Sequence, residues 1–520
     1  MNADDRAGRR LVVAANRGPV SFHSDPSGEP VVTRGPGGLV TVLTELLRQH
    51  PGTWVATALG DEEQKLAAAG SAVEVELDGC AYRVRYVSVE PDVYDKYYNI
   101  VANPILWFIQ HYLWDLGRHP DISPNETDAW DNGYVRVQRL FAEAISAELA
   151  AGAAPGGAED PASGDARPAE GDALVMLHDY HLYGVAPLVR RAAPDAFLHQ
   201  FVHIPWAQSD SWLVLPERMR SAVFAGLLGN DVVAFHTRHY AVNFLQGCRD
   251  LLDLEIDERR LSVQYDGREV WVRAYPVSID PDELRRASTA QRVAAEERSL
   301  LQRRREFLVL RVDRLDLSKN IIRGFLAFDR FLDLHPEFKE RITFLALLQP
   351  SREDVEEYVV YRERVVRAVE QINTKHGNTD WMPIDLRIED NFPQTLAAYR
   401  HYDALMVNAI FDGMNLVAKE GPVVNTSDGV LILSENTGAY EELGMFAVGV
   451  NPFDIEQQAE ALFEALTMPA DEKRDRAEAM RRVVDTNSIE KWVAAQFDDI
   501  AAKRAAAGGR PGSALRPAGT

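Results

Sequence analysis

Only two cysteines occur in 520 residues, Cys80 and Cys248. So far apart, they give neither a disulfide framework nor metal-ligand spacing, which fits a reducing compartment. No stretch approaches the ~18 apolar residues of a membrane span, and the opening Met-Asn-Ala-Asp-Asp-Arg lacks the apolar core of a secretory leader. A cytoplasmic location is therefore expected. Positive charge is scarce: 56 Lys and Arg against 79 Asp and Glu leave a formal net charge of −23. That balance argues against nucleic acid and anionic membranes as partners, and it makes basic residues gathered at one place more telling. Short-period internal repeats are missing too.

Hydrophobic residues make up 46% of the chain, enough for two packed sheets, and the length exceeds what one ordinary core fills. Strand and helix patterns alternate, which is the α/β signal. Strands are expected at Arg10–Ala15, Ala173–Leu177, Phe197–Val202, Asp231–Phe235, Phe307–Val312, Ile342–Leu347, Ala404–Val407 and Val430–Leu433, with a helix over Gly38–Arg48. Residues 150–171, rich in Ala, Gly and Pro, read as a disordered insertion, and 503–520 as a loose tail. A hinge at Pro276–Pro281 places a first domain at 10–280 and a second at 281–485, followed by a helix over 486–502.

Several strand ends carry polar residues suited to anions. Asp412-Gly413-Met414-Asn415-Leu416-Val417-Ala418-Lys419-Glu420 follows a buried strand and opens a helix. First-turn amides around Met414, Asn415 and Leu416 would be unpaired donors at a positive dipole end, fit for a phosphate. Asp412 is placed to grip a sugar hydroxyl and Glu420 a ribose diol. The same spacing also fits a buried helix with Asp412 as its cap. Arg314 and Lys319, in Arg-Leu-Asp-Leu-Ser-Lys-Asn, place two cations at another strand end. There the alternative is salt bridging with Asp313 or Asp316. Arg17 follows the first strand, and Gly38 lies in a Gly-rich turn that opens a helix. Tyr98 and Trp107 are neutral donors, in an aromatic stretch of a density more often found in a core. Asp179 and His203 end two further strands, His203 otherwise reading as a core histidine. No Cys or carboxylate completes a metal set with His178, His181 and His203.

In wording and order these segments resemble the trehalose-6-phosphate synthase family, retaining glucosyltransferases of the two-domain GT-B fold, and most closely an actinobacterial branch. The resemblance runs over about residues 10–500. It implies two Rossmann-like domains facing a cleft, with the last helix crossing back onto the first. It implies transfer of glucose from a nucleoside-diphosphate glucose (UDP- or GDP-glucose) to glucose-6-phosphate, with no cofactor and no metal. By the same resemblance Arg17, Tyr98, Trp107, Asp179 and Arg352 hold the acceptor. Gly38, Arg314, Lys319, Asp412, Met414, Asn415, Leu416 and Glu420 hold the donor. Arg314, Lys319, Asp412 and His203 serve the chemistry, by front-face attack in which the leaving phosphate receives the acceptor proton.

The chain departs from the family pattern in three places. Leu317 replaces a Tyr and Asn320 a Gly, the latter tolerable because Asn enters the left-handed region. The Trp-x-Gly-Trp pattern is cut to Trp54-Val55-Ala56-Thr57, losing an acceptor-side Trp. Pseudo-glycosyltransferases that couple cyclitols and non-catalytic sugar-phosphate sensors are the alternatives. Arg314, Lys319 and Glu420, which a sensor would be expected to lose, are all present. The sequence leaves self-association into a homo-oligomer open.

Overall fold

The computed structural model describes residues 10–24, 30–35, 38–77, 80–151 and 173–508. Most of the expected insertion and the tail beyond 508 lie outside the described residues. The first sheet has ten strands: β1 (Arg10–Ala14), β4 (Gly52–Thr57), β5 (Val73–Leu77), β6 (Cys80–Val87), β7 (Ala173–His178), β8 (Phe197–Phe201), β9 (Val232–Phe235), β10 (Ile256–Asp257), β11 (Ser262–Tyr265) and β12 (Arg268–Ala274). Two more, β2 (Val20–Ser24) and β3 (Pro30–Arg34), form a separate hairpin. The sheet order is β10-β11-β12-β9-β8-β7-β1-β4-β6-β5, parallel from β12 to β6. Its central strands are buried on both faces: Val13, Ala14, Val55, Leu177 and Leu198 are fully enclosed, which explains their continuous apolar runs.

The second sheet has six parallel strands, β13 (Phe307–Arg314), β14 (Ile342–Gln349), β15 (Ile384–Ile388), β16 (Ala404–Val407), β17 (Val430–Ser434) and β18 (Val448–Val450). Their order is β15-β14-β13-β16-β17-β18. Counted from β13 this is 3-2-1-4-5-6, the doubly wound order in which ligands bind where the winding reverses, at the carboxyl ends. That reversal lies between β13 and β16. In the first sheet the same reversal lies between β1 and β7. The GT-B expectation from the sequence therefore meets two doubly wound sheets, each with its switch point.

The last helix runs over Ile489–Gly508, six residues beyond the expected end at 502. The continuing Lys503-Arg504-Ala505-Ala506 has good helix formers and no Gly or Pro until Gly508. Lys503 is also anchored, its ammonium donating to the Glu269 carbonyl at 2.6 Å. The helix packs on the first sheet: Phe497 stacks on His50 at 3.8 Å, Trp492 lies 5.2 Å from Phe201, and Asp499 accepts from the Tyr275 hydroxyl at 2.6 Å. Among the described residues no helix is long and apolar enough to cross a membrane.

A group of histidines lies in the first core near the strand ends. His178, His199 and His236 are buried, and burial pulls each down to about 3. A buried neutral histidine must be charged when the chain unfolds in acid. Because the folded value is depressed, its contribution to stability is complete above about 6.5 and is lost as pH falls below it. Each should cost about 2 kcal/mol of stability between pH 7.5 and pH 5, where ordinary carboxylates have barely begun to titrate. Urea denaturation at the two pH values should show a loss of several kcal/mol. Equal stability at both would contradict this account.

Candidate active site

At the β13 end the sequence places a buried arginine, Arg311, two residues before Asp313. Arg311 is fully buried; its Nε donates to Asp313 at 2.8 Å and its guanidinium to the Lys319 carbonyl at 2.8 Å. It also meets the Asn408 side chain after β16, so both strands flanking the switch point are tied together. The chain then turns at Asn320, which has φ 58° and donates to the carbonyls of Asn408 and Pro452 at 2.9 and 2.7 Å. Asn thus keeps the left-handed turn that the expected Gly would have made. This turn aims the Lys319 ammonium at Asp412, 2.5 Å away, and leaves Arg314 about two-fifths exposed to the cleft.

Asp412 does not cap a helix. The helix after β16 begins at Val417, so Met414, Asn415 and Leu416 precede its first turn rather than form it. The physical reason is local. Asn415 takes φ 75°, donates to the Asp412 carboxylate at 3.0 Å, and accepts from the Ala418 amide at 3.3 Å, so it provides the side-chain cap. Asp412 is thereby free to face Lys319. Burial favours its neutral form, but Lys319 holds its carboxyl below the usual range. Glu420, one turn along, accepts from the Tyr399 hydroxyl at 2.9 Å, and burial raises its carboxyl.

Two close approaches bring the halves together here. A Cβ on Gly413 would lie 2.2 Å from the His203 carbonyl oxygen, and one on Gly38 would lie 3.1 Å from the Leu416 side chain. Only Gly at 413 allows the two backbones to touch. The Tyr240 hydroxyl adds a bond to the Asp412 carbonyl at 3.0 Å.

On the first-sheet side, Asp179 follows β7 at φ 71°, an unusual setting for a non-glycine residue. Its carboxylate accepts from the His203 amide at 3.2 Å. Burial pushes the carboxyl up to about 7, against the pull of Arg352 and Arg314. The His203 ring lies 3.0 Å from His178, and burial keeps it neutral. Arg17 is exposed to the cleft and reaches the Tyr98 hydroxyl, whose pKa burial would raise but Arg352 and Arg17 bring down. Trp107 is buried with no partner for its indole N–H among the described residues. Its ring lies 4.0 Å from the Arg352 guanidinium and 5.4 Å from that of Arg314.

Arg352, Trp107, Tyr98, Arg17, Asp179 and Arg314 thus form one neighbourhood, with Lys319, Asp412 and Asn415 a second beside it. Glu420 and His203 stand at the edges, each tied to its own core.

Sequence reasoning missed several supports. Asp316 was weighed only as a partner for Arg314 or Lys319; its closer cation is Arg352, at 2.7 Å. Tyr180 and Tyr358, whose hydroxyls also meet Arg352, carried no signal beyond being aromatic. Asn16 holds the Arg17 loop, accepting from Thr57 and Tyr97 at 3.1 Å each. Thr57 stands where the second Trp was expected and is buried against this amide. Lys419, inside the motif, is buried and binds Glu442 at 2.6 Å and the Val277 carbonyl at 2.7 Å. Among the described residues the one group of three possible metal ligands is Asp329, Asp333 and His376. It lies on helices away from these strand ends, and the Lys375 ammonium already sits 2.9 and 2.6 Å from its carboxylates.

The model for glycosyltransferase family 20 matches residues 9–154 and 165–502. The chain is 32% identical over 506 residues to the validamine 7-phosphate valienyltransferase of Streptomyces hygroscopicus subsp. jinggangensis, covering 96% of each. It is 32% identical over 495 residues to the UDP-forming alpha,alpha-trehalose-phosphate synthase 2 of Aspergillus fumigatus, covering 93% of this chain and 95% of that one. The crystal structure of a UDP-forming alpha,alpha-trehalose-phosphate synthase from Burkholderia vietnamiensis superposes with a TM-score of 0.79 at 28% identity, over 96% of this chain and 99% of that one.

The Lys319–Asp412 pair yields a stability prediction independent of activity. Lys319→Ala leaves a mostly buried carboxylate without its cation and should cost about 3 kcal/mol. Asp412→Asn in that background should recover most of the loss, because the uncompensated charge is gone. Strictly additive effects in denaturant titrations would mean the pair does not couple.

Proposed function

The chain belongs to glycosyltransferase family 20, and we propose that it is an alpha,alpha-trehalose-6-phosphate synthase, moving glucose from UDP- or GDP-glucose to glucose-6-phosphate with retention of configuration. As a family member it is a glycosyltransferase of the GT-B fold. The observation that carries the finer reading is the gathering of four cations between the two sheets: Arg314 and Lys319 in the segment from the end of β13, Arg17 after β1, and Arg352 after β14, reaching the Tyr180 hydroxyl after β7. Two anionic substrates suit such a gathering, with Arg314 and Lys319 on a nucleoside diphosphate and Arg17 and Arg352 on a sugar phosphate.

In this reading Arg314 and Lys319 stabilise the charge that develops on the leaving diphosphate. Lys319 is already oriented by Asp412, so little reorganisation remains for the reacting state. Asp412 and the neutral His203 orient the donor sugar. Met414, Asn415 and Leu416 offer backbone groups beside it, Gly38 allows its close approach, and Glu420 accepts from the ribose diol. Arg17, Arg352, Tyr98 and Trp107 grip the acceptor phosphate, with the unpaired Trp107 N–H a ready donor. Asp179 accepts from acceptor hydroxyls. Contact between the halves at Gly413 and His203 keeps water from the transferred sugar. The reaction needs no metal, since two cations take that place.

A second reading has two observations in its favour: the Streptomyces relative is named as a valienyltransferase, and Thr57 stands in for an expected acceptor-side Trp. In that reading a cyclitol replaces glucose on one or both substrates. A donor panel of UDP-, GDP- and ADP-glucose with glucose-6-phosphate, scored by nucleotide release and product mass, separates the two. Absence of a disaccharide phosphate with every donor would overturn the synthase reading.

Arg314→Ala and Lys319→Ala should lower kcat by roughly two to three decades, because the lost contacts strengthen mainly in the transition state. Arg17→Ala and Arg352→Ala should instead raise the acceptor KM strongly and leave donor KM nearly unchanged. The reverse pattern would reassign the two halves.

Asp179 sets a pH signature. Its carboxyl is raised to about 7, so it is neutral below that value and ionised above it. Only the ionised form accepts with both oxygens. Acceptor kcat/KM should therefore fall as pH drops through about 7, and Asp179→Asn should flatten that limb. An unchanged acid limb in the Asn variant would exclude Asp179 as its source.

A further inference from the structure

Asp316 is fully buried, and its two oxygens have separate partners. Oδ1 accepts from the Ser318 amide and hydroxyl, each at 2.9 Å, which fixes the carboxylate to the turn after β13. Oδ2 accepts from Arg352 at 2.7 Å and from the Tyr358 hydroxyl at 3.3 Å, and lies 3.7 Å from Arg314. One oxygen thus faces one cation assigned to each substrate. Both guanidinium groups also lie against the ring of Trp107, so without a shared anion they would repel across a short, poorly solvated gap.

We propose that Asp316 is a positioning residue that yokes Arg314 to Arg352, so that the grip on the donor diphosphate and the grip on the acceptor phosphate are set by one buried carboxylate. This rests on the assignment of those two arginines made above. A residue that only capped the turn would need Oδ1 alone. The pairing at Oδ2 adds a side-chain tie from the turn after β13 to Arg352, which sits at φ 49° in the loop after β14. Burial alone would make Asp316 neutral; Arg352 and Arg314 keep it ionised, well below the ordinary carboxyl range. The yoke is thus charged at every working pH.

Asp316→Asn separates the two roles. An amide has one oxygen: if that oxygen keeps the Ser318 contacts, its N–H2 faces the guanidinium groups and the yoke is cut while the turn survives. Initial rates are measured over both substrates, glucose-6-phosphate and whichever of UDP- or GDP-glucose is turned over, with thermal unfolding as the fold control. The expected result is a roughly tenfold rise in both KM values from this one change, with a fall in kcat. The acceptor-side shift should vanish in an Arg352→Ala background and the donor-side shift in an Arg314→Ala background. If Asp316→Asn does not fold, Tyr358→Phe, which removes a hydroxyl donor from Oδ2 and leaves the Ser318 contacts on Oδ1 intact, should raise both constants by a smaller factor of roughly two to three. A folded variant that shifts one constant or neither overturns the proposal. So do shifts that persist in the arginine-free backgrounds, which would mark a structural role. If Arg352→Ala and Arg314→Ala do not divide into acceptor and donor effects, the reading of the site falls, and the yoke with it.

Discussion

Cations held ready for anions that have not yet arrived repel one another, and this constraint shapes the cleft. The overall charge of −23 does not ease it, because Arg314 and Arg352 lie against one ring, that of Trp107, and the side chain of Arg352 is buried. The chain answers with buried carboxylates of separate duty. Asp412 holds Lys319, Asp316 holds Arg352 and faces Arg314, and Asp313 holds the structural Arg311. Each pairing fixes a cation's direction while leaving part of its hydrogen-bonding capacity for a ligand.

These pairings depend on where the sheets reverse their winding. At each switch point, neighbouring strands send their loops to opposite faces and leave a crevice between them. Arg311 spans the crevice of the second sheet to Asn408, and Asn320 does the same from the following turn. In the first sheet Asn16 and Thr57 tie β1 to β4, its neighbour on the side away from the switch point, and so hold the loop that carries Arg17. The two crevices then face each other because Gly413 lets the donor loop rest on the His203 carbonyl. Catalytic groups contributed by distant parts of the chain therefore inherit their positions from two rigid parallel sheets rather than from one another.

The donor loop illustrates how a motif can be legible while its conformation is not. The spacing from Asp412 to Glu420 suited a helix opening at Asp412, and acidic N-caps are common. Asn415 won that competition because its short amide side chain both tolerates the left-handed backbone and caps the helix that begins two residues later. The last helix likewise runs past its expected end: a run of Ala, Lys and Arg carries strong helix propensity, yet it reads as tail when the surface that anchors Lys503 is unseen.

The sequence by itself determined the class of the fold, since continuous apolar strands alternating with helices leave few options but parallel sheets covered on both sides. It also determined which polar residues stand at strand ends, because the residues after a buried strand are fixed by chain order. The tertiary structure alone decided which of those ends meet. Asp316 and Arg352 are separated by 36 residues, Lys319 and Asp412 by 93, and Gly413 and His203 follow strands of different sheets. Pairing between such positions is a property of sheet order and register, where long-range closure is opposed by chain entropy and specified by the sum of many weak packing contacts. No local pattern encodes that sum. It is why Asp316 reads in the sequence only as a local partner for Arg314 or Lys319 and stands between two arginines in the fold.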